Sequence, residues 1–300
     1  MIPPGKTLGL LGGGVHGRLF ELAAVRLGYR AQVFAPAAGC DPGALAGFAQ
    51  SCDVVTWGGA DLPLATLRMI ETLVQVHPAG TVLEICQDQA HTKEWLRLNG
   101  FPAANDGAEV ATEIAVVLAR TATAAIRVYP PAEIPAPAGR RDYCVAPARV
   151  APEVAAAAEK MARLIAEKLG LVGVMGVYIG VTHAGQLMVR QLVPGTHDGG
   201  NWTLDACMTS QFEQQVRAIC GLPLGAVTLL SPVVMVNTLG DAWAKGEPDW
   251  SALLAQPNVR LHLYGKAEPR PGRKMGHFTV TARDADMTLE LARKYQARLG

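Results

Sequence analysis

Two stretches of this sequence gather chemistry-bearing groups into a short span. The first is Gly12-Gly13-Gly14-Val15-His16-Gly17, a G-x-G-x-x-G turn between a short apolar run and an amphipathic one. Backbone N–H groups at such a helix start hold phosphate or carboxylate, and His16 adds an imidazole able to act as base or donor. The second runs Tyr264-Gly265-Lys266-Ala267-Glu268-Pro269-Arg270-Pro271-Gly272-Arg273-Lys274-Met275-Gly276-His277. It places Lys266, Arg270, Arg273 and Lys274 within nine residues, with one acid among them, on a segment stiffened by two prolines and bent by glycines. Such a loop tolerates its own repulsion when a dianion neutralises it. At ~1.5–3 kcal/mol per charge-assisted hydrogen bond, two or three would anchor a phosphomonoester. Each stretch also has a plainer reading: a solvated basic turn, and glycines that only permit tight strand–helix packing. A dinucleotide at the glycine turn would need an acid closing the second strand, which instead ends Val33-Phe34-Ala35-Pro36.

The elements around these stretches alternate. The pattern predicts a strand over Thr7–Leu11, a helix over Arg18–Leu27 stopped by Gly28, strands over Ala31–Phe34 and Asp53–Thr56, and helices over Ala44–Gln50 and Leu64–Val76. Strands separated by helices of this length form a parallel sheet wound on both faces. A further helix closes over Glu94–Asn99. Beyond it the reading is paired strands over Ile114–Ala119 and Ala125–Tyr129, then a stretch with Pro130, Pro131, Pro135 and Pro137 that excludes regular structure. An Ala-rich helix over Pro152–Leu169 has proline at its start and Gly170 at its end. A hairpin over Val174–Val181 and Gln186–Leu192 follows, then a long helix over Trp202–Gly221. Short strands over Val233–Asn237, Arg260–Tyr264 and His277–Thr281 precede a terminal helix from Met287.

The chain of 300 residues is 50% hydrophobic and 18% charged, with 27 basic and 26 acidic residues. It can bury a core, and its near-zero net charge gives no global attraction to nucleic acid or anionic membrane, so any anion site is local. Six cysteines (Cys40, Cys52, Cys86, Cys144, Cys207, Cys220) form no C-x-x-C pair and read as small apolar residues in a reducing compartment. The N-terminus runs straight into a strand without a leader pattern, and no apolar run reaches the ~18 residues of a membrane helix. A cytoplasmic protein is expected.

Further runs bear on ancestry: Leu8-Gly9-Leu10-Leu11-Gly12-Gly13-Gly14, Cys52-Asp53-Val54-Val55-Thr56, Gln87-Asp88, Ala146-Pro147-Ala148-Arg149-Val150, Thr209-Ser210-Gln211-Phe212-Glu213-Gln214 and His262-Leu263-Tyr264-Gly265-Lys266, continuing through Arg270 to His277. In order and over nearly the whole chain, they closely resemble the 5-(carboxyamino)imidazole ribonucleotide synthase family. This is an ATP-grasp family of purine synthesis that carboxylates aminoimidazole ribonucleotide with ATP and bicarbonate. The resemblance implies an α/β architecture of three parts. These are an N-terminal doubly wound parallel sheet (the pre-ATP-grasp domain) over residues 1–99, an ATP-grasp part over 100–230, and a small strand-rich C-terminal extension over 231–300 bearing the basic loop. It further implies that Lys266, Arg270, Arg273 and Lys274 clamp a ribonucleotide 5′-phosphate. Gly12, Gly13, Gly14, Val15, His16 and Trp57 would meet its ribose or base.

The departures from the family pattern fall where ATP chemistry belongs. Glu113 follows Phe101 by twelve positions, where the family carries a lid subdomain with a lysine and a phosphate-covering loop. Tyr178 stands for the first metal-binding Glu, Gln191 for the second, and Arg190 for the neighbouring Asn. In the stretch Trp57-Gly58-Gly59-Ala60-Asp61, Gly58 replaces a Glu and Asp61 an Asn, while Val15 and His16 replace Gln and Leu. Asp198 and Asp205 are acids near the metal position in sequence but not on its strands. The expectation is a degenerate relative that binds aminoimidazole ribonucleotide or a similar ribonucleotide and needs no cofactor. ATP and Mg²⁺ are required only if the family reaction survives. The alternatives are persistence of that ligation, an ATP-independent reaction on an imidazole ribonucleotide with His16 and Asp61 as acid and base, an NAD-dependent oxidoreductase, or a partner of an intact homologue. A homodimer is expected, without nucleic-acid or membrane partners.

Overall fold

A computed structural model describes residues 1–35, 41–58, 62–105, 109–134 and 142–299. The first unit has strands β1 (Thr7–Leu11), β2 (Arg30–Phe34) and β3 (Val54–Trp57) in the parallel order β2-β1-β3, with helices α1 (Gly14–Arg26), α2 (Pro42–Gln50) and α3 (Leu64–Glu71) between and after them. It is wound on both faces. On one, Leu8, Leu10 and Val54 pack against Phe20 and Ala24 of α1; on the other, Leu11, Val55 and Trp57 pack against Phe48 of α2 and Leu67 and Ile70 of α3. Right-handed parallel crossovers require helices on the faces, so the buried strands β1 and β3 read as near-continuous apolar runs, while the edge strand β2 carries Arg30 and Gln32.

Helices α4 (Gly80–Cys86) and α5 (Gln89–Leu98) lead to the second sheet. Its strands are β4 (Thr112–Arg120), β5 (Ile126–Val128), β6 (Ala132–Ile134), β7 (Tyr143–Ala146), β8 (Gly173–Val181), β9 (Leu187–Pro194), β10 (Val233–Leu239), β11 (Val259–Leu263) and β12 (Lys274–Thr281). They run β11-β12-β10-β7-β6-β4-β8-β9, with β5 paired to β4. Helix α6 (Pro152–Lys168) covers one face, burying Ala158, Ala162, Ile165 and Ala166 on Ile114, Val116, Met175 and Val177. Alanines at this spacing bring the helix close to the strands. The short α7 (Thr203–Ala206) and α8 (Gln211–Ile219) precede β10; α9 (Trp250–Leu254) and α10 (Ala285–Gln296) complete the C-terminal part. No helix among the described residues is long and apolar enough to cross a membrane.

The structure corrects several sequence expectations. The helix predicted to reach Val76 ends at Glu71, and Val76 instead bridges to Val55 in parallel, extending the first sheet. The long helix over Trp202–Gly221 is two helices: Cys207 is extended and Ser210 caps α8, accepting from the Glu213 N–H at 3.2 Å. The proline-rich stretch does hold a strand, β6, fitted between Pro131 and Pro135 and paired with β4. β10 pairs with β7 over Val233–Val236, so the C-terminal strands continue the large sheet.

Candidate functional site

The glycine turn and the basic loop, far apart in sequence, meet across one cavity of about 260 Å³. Helix α1 starts at Gly14 with Gly13 as its cap residue, and Gly12 and Gly14 take positive φ (112° and 76°). A Cβ on Gly12 would come within 2.6 Å of the Gly58 carbonyl, so this turn requires glycine. One turn into α1, the Arg18 guanidinium donates to the Tyr264 carbonyl at 3.1 Å and ties the start of the basic loop to the helix. His16, Lys274 and Asp198 all line the cavity.

Asp198 joins the two stretches. His16 Nε2 lies 3.2 Å from its Oδ1, and the Lys274 ammonium pairs with its Oδ2. Burial works to raise this carboxyl, but His16 and Lys274 prevail and hold it well below the usual carboxylate range. A depressed folded value contributes stability that is complete above the unfolded value near ~4 and is lost as pH falls through the folded value. Asp198→Asn is therefore expected to flatten the acid limb of stability below about pH 4, read as urea midpoints measured from pH 5 downward. An unchanged slope in the variant would remove Asp198 from the set of linked groups.

The opposite wall is built by β8 and β9. Tyr178 and Gln191 are cross-strand partners, so these two residues, neither of them a carboxylate, sit side by side. The Tyr178 hydroxyl lies 3.2 Å from His197 Nδ1, and a Cβ on Gly199 would come within 2.5 Å of that hydroxyl. Beside them Arg190 Nε lies 3.1 Å from Glu113 Oε2, a buried carboxylate on β4. Asp205 pairs with His262 at 2.9 Å and accepts from Thr279 at 2.6 Å. Mg²⁺ takes hard anionic oxygens in an octahedron. This wall offers a phenol and a carboxamide, while Glu113, Asp198 and Asp205 are each matched to a basic side chain. The donor set does not fit Mg²⁺.

Of the four loop cations, Lys274 lines the cavity. Lys266 donates to the Lys274 carbonyl at 2.6 Å; burial and the positive charges of Arg273 and Lys274 pull it below the usual lysine range against the opposing pull of Asp198. Arg270 and Arg273 are exposed and engage Glu268, the first through its carboxylate and the second through its carbonyl at 2.8 Å. Trp57 is corrected: its indole is buried in the first unit and donates to the Pro78 carbonyl at 2.7 Å, so its ring is committed to the core. Val15 is half-buried in the first turn of α1. Asp61 lies outside the described residues. Nothing local in the sequence marks Asp198 and Arg18 as ligand-site residues, since their partners are 76 and 246 residues away.

A family model described as an ATP-grasp domain matches residues 85–212, and one described as a phosphoribosylaminoimidazole carboxylase C-terminal domain matches 233–291. The N5-carboxyaminoimidazole ribonucleotide synthase of Brucella melitensis is 30% identical, covering 93% of this chain and 97% of its own length. That of Synechococcus elongatus is 29% identical over 99% of this chain and 95% of its own length. The two matches run over 354 and 377 aligned positions. Against the 300 residues here, the two relatives therefore carry at least 54 and 77 positions with no counterpart. Among solved structures, the synthetase of Thermotoga maritima superposes with a TM-score of 0.88 at 30% identity, covering 98% of each chain. An ADP complex of an N5-carboxyaminoimidazole ribonucleotide synthetase gives 0.91 at 27% identity, covering 99% of this chain and 97% of that one. The order of the motifs, the mixed α/β architecture and these near-full-length matches establish that the chain belongs to the N5-carboxyaminoimidazole ribonucleotide synthase family.

Proposed function

We propose that this chain is a divergent member of its family that binds aminoimidazole ribonucleotide, or a closely similar ribonucleoside 5′-phosphate, and has lost ATP-dependent carboxylation. The observation that carries this reading is the β8–β9 wall, where Tyr178 faces Gln191 and Arg190 neutralises Glu113. Phosphoryl transfer depends on cations that neutralise charge developing on the transferred group, and on a lid that excludes water. This reading places the positions missing relative to those relatives between Phe101 and Glu113, twelve positions apart in sequence, where the family resemblance expects the lid. The phosphate side keeps its chemistry. Lys274, with the field of Lys266 and Arg273 behind it, offers charge-assisted hydrogen bonds to a dianion. His16, in the first turn of α1, lines the same cavity and stands where it can donate to a ribose or imidazole.

A second reading, retained ligation, is favoured by the near-complete match to proteins named as synthases. One experiment separates the two. Calorimetry and thermal melting are run with aminoimidazole ribonucleotide and, separately, with Mg-ATP. At a hundredfold excess over Kd the ribonucleotide is expected to stabilise the fold by about 2.7 kcal/mol, a rise of about 5 °C. Mg-ATP is expected to leave the melting temperature unchanged. Release of ADP that depends on the ribonucleotide and bicarbonate would overturn the proposal.

A further inference from the structure

Beyond the cavity, three potential ligands converge near the β11 edge of the large sheet. His262 on β11 and His277 on β12 are paired in register, and their rings stack with centroids 4.5 Å apart at 16°. Asp205 on α7 reaches across to them, with Oδ2 2.9 Å from His262 Nε2. One ligand atom from each residue lies within 4.8 Å of those of the other two.

The surroundings hold the cluster as outer partners hold metal ligands. Thr279 lies two residues beyond His277 and therefore on the same face of β12; its hydroxyl donates to Asp205 Oδ2 at 2.6 Å. The Tyr264 hydroxyl lies 2.7 Å from His277 Nδ1. With the Nδ1 proton given to Tyr264, the lone pair of His277 sits on Nε2. That nitrogen is buried with no hydrogen-bond partner, on a residue 0% exposed. A buried polar atom left unpaired is costly. A carboxylate, two imidazoles and a hydroxyl behind each of two of them form the set in which a metal ion would satisfy it.

We propose that Asp205, His262 and His277 bind one divalent transition-metal ion of the Zn²⁺ class, with solvent as the fourth ligand. Two imidazoles and one carboxylate suit Zn²⁺ and its first-row neighbours rather than Mg²⁺ or Ca²⁺. Zn–ligand bonds of ~2.0–2.1 Å place tetrahedral donor atoms about 3.3 Å apart, so loading draws the cluster inward. His262 is the arm that moves: it sits on the edge strand with 26% of its side chain exposed, against 10% for Asp205. The ion would clamp α7 to the β11–β12 pair and so brace the two strands that carry the basic loop between them. This goes beyond the ribonucleotide reading and requires no turnover.

The test uses the full chain, stripped with chelator and titrated with Co²⁺ or Zn²⁺ alone. One equivalent of Co²⁺ is expected to give the intense visible d–d bands of a low-symmetry site, to be displaced by Zn²⁺, and Zn²⁺ is expected to raise the melting temperature. Asp205→Asn, nearly isosteric, should weaken binding at least about 100-fold, and Thr279→Val, an outer partner, about 10-fold. His277→Gln should behave like Asp205→Asn; if it does not fold, the other two variants decide. Absence of the bands, equal affinity in Asp205→Asn, or thiolate charge-transfer bands pointing to Cys207 would each overturn the assignment.

Discussion

Joint replacement of Arg273 and Lys274 by alanine is expected to abolish the ribonucleotide-induced rise in melting temperature. Two charge-assisted hydrogen bonds at ~1.5–3 kcal/mol each are removed from a dianion, which converts to a loss in affinity of about 100-fold to 10,000-fold. Most of this belongs to Lys274, whose ammonium lies on the cavity wall beside His16 and Asp198. Arg270→Ala serves as the contrast: its guanidinium is exposed and paired with Glu268, so the loss should stay within about 10-fold, as for a screened surface charge. Removing Lys274 also deprives Asp198 of a partner and lowers the unliganded melting temperature. Combining it with Asp198→Asn takes away that leftover charge, and the melting temperature should recover while binding does not. Calorimetric Kd values for the four proteins check this, and wild-type affinity in the double alanine variant would remove the basic loop from the site.

Much of this fold was legible because local and global preferences agree in it. The alternation of strands and helices in the first hundred residues follows from apolar runs cut by glycine and proline, and α6 is bounded by its own Pro152 and Gly170. The failures have physical reasons. Strand β6 survives among prolines because Pro131 and Pro135 flank Ala132–Ile134 rather than interrupt it. The break between α7 and α8 had a local signal, Ser210 followed by Glu213 three residues on, which is a capping pattern inside what otherwise reads as one amphipathic run. The site was legible as residue types but not as an arrangement. His16 and Lys274 stand out in sequence; that both meet on Asp198 depends on a turn after β9 whose position only the assembled sheet fixes. Trp57 misled because an aromatic at a strand end reads equally as ligand platform or core, and here the Pro78 carbonyl decides for core.

Gln211→Leu is expected to destabilise the fold by about 3–9 kcal/mol. Gln211 is fully buried. Its Oε1 accepts from the His197 N–H at 3.2 Å, and its Nε2 donates to the His197 carbonyl at 2.8 Å and to Asn201 Oδ1 at 3.0 Å. Leucine fills nearly the same volume, so the cavity contribution is small. The cost comes from three buried polar groups left without this partner, at ~1–3 kcal/mol each. Urea denaturation with an unchanged slope is the measurement, and a loss below about 1 kcal/mol would show that water or a backbone shift replaces the amide. The neighbouring Gln215 works alike, accepting from Val174 N–H at 2.6 Å and donating to Thr56 at 2.7 Å, which ties the first sheet to β8. The Thr209–Gln214 run, among the stretches that mark the family, is thus held in place by architecture: it positions His197, and through it Tyr178, whatever stands opposite on β9. Gln211 therefore supports the fold whatever chemistry Tyr178 and Gln191 present. The hydrogen bonds of this run thus belong to the scaffold. Scaffold and ligand binding separate experimentally if Gln211→Leu lowers stability equally with and without ribonucleotide, in contrast to the ligand-dependent effect at Lys274.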